Sequence, residues 1–322
     1  MTVIDPRQIR DGLEVFSPAG TTLCAPSLQA YLEFYGLSPL MTRCHYSAGI
    51  ERIGSLSLVA QCFRPLREAD GTAVLVHGYM DHAGLYRHLI GYLLERNWRV
   101  LIYDLPGHGL SSGPALSIDH FSSYAGQLSL LLERHRADLS GPWVLIGQST
   151  GAAVLMEQQR LARDDTRLDW PVAGRVFLAP LVRPMELQVI QRKYRWFGRF
   201  LKYVRRMYSN NSHDAAFVRF VREEDPLQHP YVAVSWVRAM LEWIETIEAC
   251  PSLAGAPLVV QGTDDGTVDW RHNLQVLEKL YPSRRLELID GARHHLVNES
   301  PALRLRAFEP IGRLLGQVRR AA

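Results

Sequence analysis

The chain has 322 residues, 47% of them hydrophobic and 21% charged, with a formal net charge of +3. That composition is globular, and the length suits one large domain or one domain carrying an insertion. The charge is too small to imply nucleic acid as a partner.

Residues 1–13 carry Asp5, Arg7, Arg10 and Asp11 without an apolar run, so no secretory signal is read there. No stretch approaches the length of a membrane-spanning helix. Cys24, Cys44, Cys62 and Cys250 form no C-x-x-C pair and lie near no histidine at zinc-ligand spacing. They are expected to be mostly buried thiols in a reducing compartment, and the expected location is the cytoplasm.

In chain order, residues up to about Gly71 read as an N-terminal elaboration. A short helix is expected over Ser27–Tyr35. Two strands, Thr42–Ser47 and Ser55–Phe63, are expected around a turn at Gly49–Gly54. From Thr72 strands and helices alternate. Ala73–His77 is an apolar run, as in a strand buried on both faces. Tyr86–Arg96 has helical periodicity, Arg99–Tyr103 reads as a strand and Phe121–His135 as a helix. Trp143–Ile146 is a strand, Gly151–Ala162 its helix, and Arg175–Ala179 a further strand. Residues 181 to about 250 break the rhythm with helix-like, aromatic-rich sequence. The alternation resumes with the strand Leu258–Gln261, the helix His272–Leu280, the strand Arg285–Ile289 and a last helix over Pro301–Val318. This alternation predicts an α/β fold with a mostly parallel central sheet flanked by helices. The core is expected in two pieces, 1–180 and 251–322. Residues 181–250 would be a helical lid inserted above the sheet's C-terminal edge.

The most informative stretch is Val144-Leu145-Ile146-Gly147-Gln148-Ser149-Thr150-Gly151-Ala152-Ala153. A strand leads into G-x-S-x-G and then into small residues that open a helix. A serine on so tight a turn is held in a strained backbone, and strand and helix approach so closely that side chains two before and two after it would clash. Gly147 and Gly151 remove them, and the helix N-terminus favours negative charge developing beside Ser149.

A serine hydroxyl needs a base, itself oriented by a carboxylate, and the chain order expected for this fold is Ser, acid, His. Leu258–Asp265 ends in two adjacent aspartates, Asp264 and Asp265, and the residues alone do not choose between them. Asp269, just before Trp270–Leu280, is the better helix cap. Leu286–His295 ends in two histidines, His294 and His295, whereas His272 sits within a helix pattern and is expected at the surface. Two backbone N–H groups should bind an oxyanion, one from Thr150 and one from the loop after His77, where Tyr79 is the candidate. A metal reading of His77, His82 and His88 fits no ligand spacing, and no metal or organic cofactor is expected.

These motifs together resemble the monoglyceride lipase and lysophospholipase branch of the α/β hydrolases, among the serine aminopeptidase S33-type enzymes. The resemblance runs from about Thr72 onward. It rests on His77-Gly78, Tyr103–Gly113 and the Gly147–Gly151 elbow, with Gln261-Gly262-Thr263-Asp264-Asp265 and Gly291-Ala292-Arg293-His294. It implies Asp265 as the acid, three residues after Gly262, and His294 as the base, three after Gly291. It also implies a structural role for His108 and a cap on the last helix from Glu299. Two departures stand out. Thr150 replaces a frequent methionine, and Tyr79-Met80-Asp81-His82 replaces smaller residues followed by a glutamate.

In the middle segment, Arg192, Lys193, Arg195, Arg199, Lys202, Arg205 and Arg206 interleave with Tyr194, Trp196, Phe197, Phe200, Leu201, Tyr203 and Val204. A basic helix of this kind can lie at an anionic lipid surface, bind an acidic substrate, or pack with its charged face in water. Met80, Trp236 and Met240 are the candidate substrate-binding residues. The expected chemistry is hydrolysis of a small-molecule carboxylic or lipid-like ester, a monoacylglycerol or lysophospholipid, through an acyl-enzyme on Ser149. Thioester, amide or peptide, and C–C cleavage share the same three residues, and a non-catalytic ligand-binding homologue is the rival of another class. The serine argues against dehalogenases and epoxide hydrolases, which use aspartate.

Overall fold

The computed structural model describes residues 4–139, 141–164, 170 and 172–321. Its strands are β1 (Cys44–Ile53), β2 (Leu56–Pro65), β3 (Thr72–Val76), β4 (Arg99–Tyr103), β5 (Trp143–Gln148), β6 (Val172–Leu178), β7 (Tyr203–Arg205), β8 (Tyr231–Ala233), β9 (Leu258–Gly262) and β10 (Arg285–Ile289). Among the described residues, eight strands form one sheet in the order β1-β2-β4-β3-β5-β6-β9-β10. The six from β4 to β10 run parallel, and β1 and β2 add an antiparallel edge.

The helices are α1 (Pro6–Asp11), α2 (Pro26–Phe34), α3 (Arg87–Leu94), α4 (Phe121–Arg134), α5 (Thr150–Asp164), α6 (Leu187–Phe197), α7 (Ala215–Arg219), α8 (Val234–Glu248), α9 (Trp270–Leu280) and α10 (Pro301–Ala321). Successive side chains of a strand point to opposite faces, and the central strands feed two apolar layers accordingly. Ala73, Leu75, Val100, Ile102, Val144 and Ile146 join the layer under α2, α3 and α10. Val74, Val76, Leu101, Tyr103 and Leu145 join the layer under α4, α5, α8 and α9. Burial on both faces is why β3, β4 and β5 read as unbroken apolar runs.

The N-terminal strands depart from the expectation. Gly49 lies within β1, not in a turn, and the hairpin turns at Gly54 instead. The glycine is there because the chain at Phe16 crosses it: a Cβ on Gly49 would lie 2.5 Å from Phe16 Cα. Nor is this region an appendage, since β2 pairs directly with β4. The expected basic helix across Arg192–Arg206 is also corrected. Helix α6 ends at Phe197, Gly198 is its cap, and Tyr203–Arg205 is instead a strand paired antiparallel with β8. Glycine is a poor helix former, and the β-branched and aromatic residues beyond it suit a strand.

Candidate active site

Strand β5 delivers Ser149 at its C-terminal end, directly before α5. Its φ is +54°, a left-handed backbone that costs a serine on the order of 1–3 kcal/mol and persists where surrounding packing enforces it. The enforcement is visible. Ser149 N donates to Leu178 O at 2.8 Å, and Leu181 N donates to Ser149 O at 3.2 Å. A Cβ on Gly151 would sit 1.9 Å from Val76 O, and one on Gly147 would sit 2.4 Å from Gly151 C.

The loop after β10 brings His294 to this serine, with Nε2 2.9 Å from Ser149 Oγ. The loop after β9 brings Asp265, whose Oδ2 lies 2.8 Å from His294 Nδ1. Asp264 is exposed and meets Arg293 instead, at 3.3 Å, so the adjacent aspartates take different roles. Asp269 caps α9 by accepting from His272 N. His272 is half-buried against Glu248 at 2.9 Å, where a surface position was expected.

Asp265 accepts four hydrogen bonds. Beyond His294, these come from Gln261 Nε2 at 3.0 Å, Thr267 N at 2.8 Å and Val268 N at 3.2 Å. Burial opposes its charge, yet the imidazole and these donors outweigh burial and hold its pKa below the usual carboxylate value. Burial likewise works to neutralise His294, but the Asp265 charge and hydrogen bond raise its pKa above that of an ordinary histidine. The base is therefore fixed in one orientation with Nε2 toward the serine.

Tyr79 and Thr150 flank Ser149 in one cavity of about 620 Å³, which Met80, Trp236 and Met240 also line. The Tyr79 ring stacks on Trp236, centroids 3.8 Å apart, and its hydroxyl donates to Leu116 O at 3.0 Å while accepting from Ala233 N. The ring is thus clamped against the 181–250 segment. His108 is buried edge-on to Tyr79 at 5.5 Å, and burial pulls its pKa down to about 3, so it is a neutral packing ring there. His77 Nε2 accepts from Leu105 N at 2.9 Å. Among the described residues, no group of three or more His, Cys, Asp or Glu side chains is placed to hold a metal ion.

Several supporting residues escaped the sequence reading. Gln148 Nε2 donates to His294 O at 3.0 Å, tying the residue before the serine to the histidine loop. Gln148 and Gln261 are polar interruptions at the C-terminal ends of apolar strands, a signal visible in sequence. Asp81 is buried and receives His295 Nε2 at 2.9 Å, the Tyr86 hydroxyl at 3.1 Å and Gly78 N at 3.3 Å. Glu299 does more than flank α10: its carboxylate accepts from Arg293 N, His213 N and His213 Nδ1 as well as Ser300 N, at 2.7–3.0 Å. The side chain is fully buried and staples the histidine loop to the 181–250 segment.

A mostly parallel sheet with a strained serine between strand and helix, facing an aspartate and a histidine from the ends of its last two strands, defines an α/β-hydrolase. The model of the serine aminopeptidase S33 family matches residues 67–301, and the chain belongs to that family. It is a hydrolase of the lipase- and esterase-like branch related to monoglyceride lipases. Human monoglyceride lipase is 24% identical over 272 residues, covering 81% of this chain and 87% of that protein. An abhydrolase domain-containing protein of Dictyostelium discoideum is 24% identical over 255 residues, 76% of this chain but 26% of that protein. Among solved structures, a soluble variant of the Saccharomyces cerevisiae monoglyceride lipase superposes with a TM-score of 0.72 at 14% identity, covering 84% of this chain and 95% of that one. No helix among the described residues is long and apolar enough to cross a membrane.

Proposed function

We propose that this chain is a serine carboxylic-ester hydrolase acting on lipid-like esters, monoacylglycerols or lysophospholipids, through an acyl-enzyme on Ser149. The observation that carries this reading is the 2.9 Å approach of His294 Nε2 to Ser149 Oγ on the wall of a largely apolar cavity. Ser149 Oγ attacks the ester carbonyl as His294 takes its proton, and Asp265 steadies the imidazolium. The tetrahedral oxyanion is held by the N–H groups of Tyr79 and Thr150, the latter at the N-terminus of α5. Collapse breaks the bond to the alcohol oxygen, which leaves with the proton from His294. Water then attacks the acyl-enzyme by the same base, releasing the carboxylic acid and restoring the serine.

Residues 181–250 act as the lid in this reading, and Met80, Trp236 and Met240 contact the acyl chain. The names of the relatives, lipases and a phospholipase, support the substrate class. Trp196, Phe200 and Met207 expose 69%, 82% and 89% of their surface on the lid, beside Arg199 and Lys202. Apolar side chains interleaved with cations suit peripheral contact with an anionic bilayer. Free thiols at Cys24, Cys44 and Cys62 suit a reducing compartment, and the cytoplasm is the proposed location.

The test is labelling by a fluorophosphonate probe, followed by a panel of monoacylglycerols, lysophospholipids, short-chain esters and acyl thioesters. Labelling and lipid-ester turnover that both vanish in Ser149→Ala support the proposal. An unreactive serine, or turnover confined to thioesters or acetyl esters, overturns it.

A further inference from the structure

The cavity that holds Ser149 is unevenly charged. Its wall carries three cations, Lys193, Arg205 and Arg206, and one carboxylate, Asp81. Both oxygens of that carboxylate are already engaged: Oδ1 by His295, and Oδ2 by the Tyr86 hydroxyl and Gly78 N. Lys193 and Arg205 are exposed, and water can solvate them. Arg206 is not so placed: it is half-buried.

The sequence and fold hold Arg206 where it is. It follows β7, and its N–H donates to Pro230 O at 2.9 Å, extending the β7–β8 pairing by one rung. Its guanidinium donates through Nη1 to Gln228 Oε1 at 2.6 Å and lies over the Tyr208 ring at 4.5 Å. Gln228 is held in turn by Asp225 Oδ2 at 3.0 Å, and Asp225 by His82 and the Tyr35 hydroxyl. Both direct partners of the guanidinium are thus neutral, and among the described residues Arg206 forms no ion pair. Burial pulls its pKa below the ordinary guanidinium value. A guanidinium has five donors in a planar fork, and one donor satisfied by an amide leaves others for the paired oxygens of a carboxylate or phosphate. The Asp81 and Asp225 carboxylates act on it only at a distance, without contact. A cation partly withdrawn from water with no anion in contact is costly to hold, and a ligand that supplies one recovers part of that cost.

The apolar wall for an acyl chain comes from α6 and α8, through Ile190, Phe197, Val237 and Met240. The cation comes from the residue that follows β7, outside both helices. Resting on the ester-hydrolase reading above, we infer that Arg206 is a specificity-determining residue that binds an anionic group, a phosphate, in the alcohol part of the substrate. The enzyme then selects phosphate-bearing lysolipids over neutral monoacylglycerols of the same chain.

The experiment compares kcat/KM for 1-palmitoyl-lysophosphatidylglycerol and 1-palmitoylglycerol, both diluted into the same neutral detergent micelles. The expected wild-type ratio favours the anionic ester by at least about ten-fold, the value of a charge-assisted hydrogen bond. Arg206→Met should lower that ratio about ten-fold, and Arg206→Lys should keep part of it. Arg195→Gln removes an equal charge from the exposed face of α6 and reports general attraction to an anionic surface. A drop in the ratio as large in Arg195→Gln as in Arg206→Met overturns the inference. So does a wild-type preference for the neutral ester, a result that needs no variant to fold. Turnover of the neutral ester alone leaves the ester-hydrolase reading standing, whereas turnover of neither, with an unreactive serine, overturns both.

Discussion

His295 Nε2 lies 2.9 Å from Asp81 Oδ1, one residue along the chain from the histidine that faces Ser149. Asp81 also grips Gly78 N, next to Tyr79, so a carboxylate sits behind the backbone proposed to bind the oxyanion. Burial opposes that charge, yet His295 and its neighbours keep its pKa below the ordinary range, so it stays ionised. An uncompensated negative charge there would repel the oxyanion. His295→Ala should therefore lower kcat/KM by about 10- to 100-fold and destabilise the fold, because one partner of a buried pair is left alone. Asp81→Asn in the same chain should restore part of both losses, since the charge that needed a partner is gone. Steady-state kinetics and thermal unfolding of the two single variants and the double variant give the coupling. Additive losses would show that the pair does not act as a unit.

Only neutral His294 can accept the serine proton, and Asp265 raises the histidine's pKa against the effect of burial. The rate should be low in acid and climb to a plateau as pH rises, with a midpoint in kcat/KM above about 6.5. Asp265→Asn removes the charge that raises it, so the midpoint should move down while kcat falls by about 10³- to 10⁴-fold. A midpoint that does not move in Asp265→Asn would detach Asp265 from the base.

How far the sequence carries is clear from these residues. Ser149 was legible because it ends an unmistakable apolar strand between elbow glycines that backbone contact at 1.9 Å and 2.4 Å demands. The strand ends narrowed its partners only to Asp264 or Asp265 and His294 or His295, and the family resemblance, not the residues themselves, chose within each pair. The end of α6 at Gly198 and the β7–β8 hairpin were not legible. Strands of three residues carry no periodicity, and their partner lies 26 residues away or more. Asp81 and Glu299 were seen as residues but not in their roles. A carboxylate's decisive partner can come from a loop distant in sequence, here His295 for one and His213 for the other.

Gly151 gives a sharper stability expectation. Gly151→Ala places a methyl 1.9 Å from Val76 O and 2.9 Å from His77 O, both backbone atoms that cannot rotate away. Overpacking of this kind costs about 1–3 kcal/mol, and more where the backbone cannot yield. The variant should unfold at lower temperature or denaturant than wild type and lose fluorophosphonate labelling. A variant of wild-type stability and full labelling would mean that strand and helix are less closely packed than the 1.9 Å contact requires.

Acid should destabilise the fold through a defined set of groups. Asp225 and Glu299 are buried, and burial raises their pKa, but His82 and Tyr35 around one, and the N–H groups and His213 around the other, reverse the sign. A carboxylate depressed in the folded state adds stability that is present above the unfolded value, about 4, and lost as pH falls through the folded value. His82, raised by Asp225 against the effect of burial, has the opposite sign. Its contribution is present below about 6.5 and is lost as pH rises through its folded value. Unfolding temperature should therefore fall below pH 4. Asp225→Asn should lower it at neutral pH by breaking the buried pair, at a cost of about 3–5 kcal/mol, and should shrink the acid limb. An acid limb of unchanged size in Asp225→Asn would remove this group from the set.

Chain-length selectivity tests the acyl side of the cavity. Met240 and Trp236 lie on α8 about one helical turn apart, and both line the cavity with Ser149. Each methylene buried there is worth about 0.8 kcal/mol, so kcat/KM for p-nitrophenyl esters should climb about four-fold per methylene until the space is filled. Met240→Trp intrudes on that volume and should move the optimum to a shorter chain. Met240→Ala enlarges it and should move the optimum to a longer one, with a stability cost of about 2–5 kcal/mol that thermal unfolding will register. The two substitutions act in opposite directions on the same readout, so a general loss of folding cannot imitate the pattern. An optimum that stays fixed in both variants would place the acyl chain away from α8.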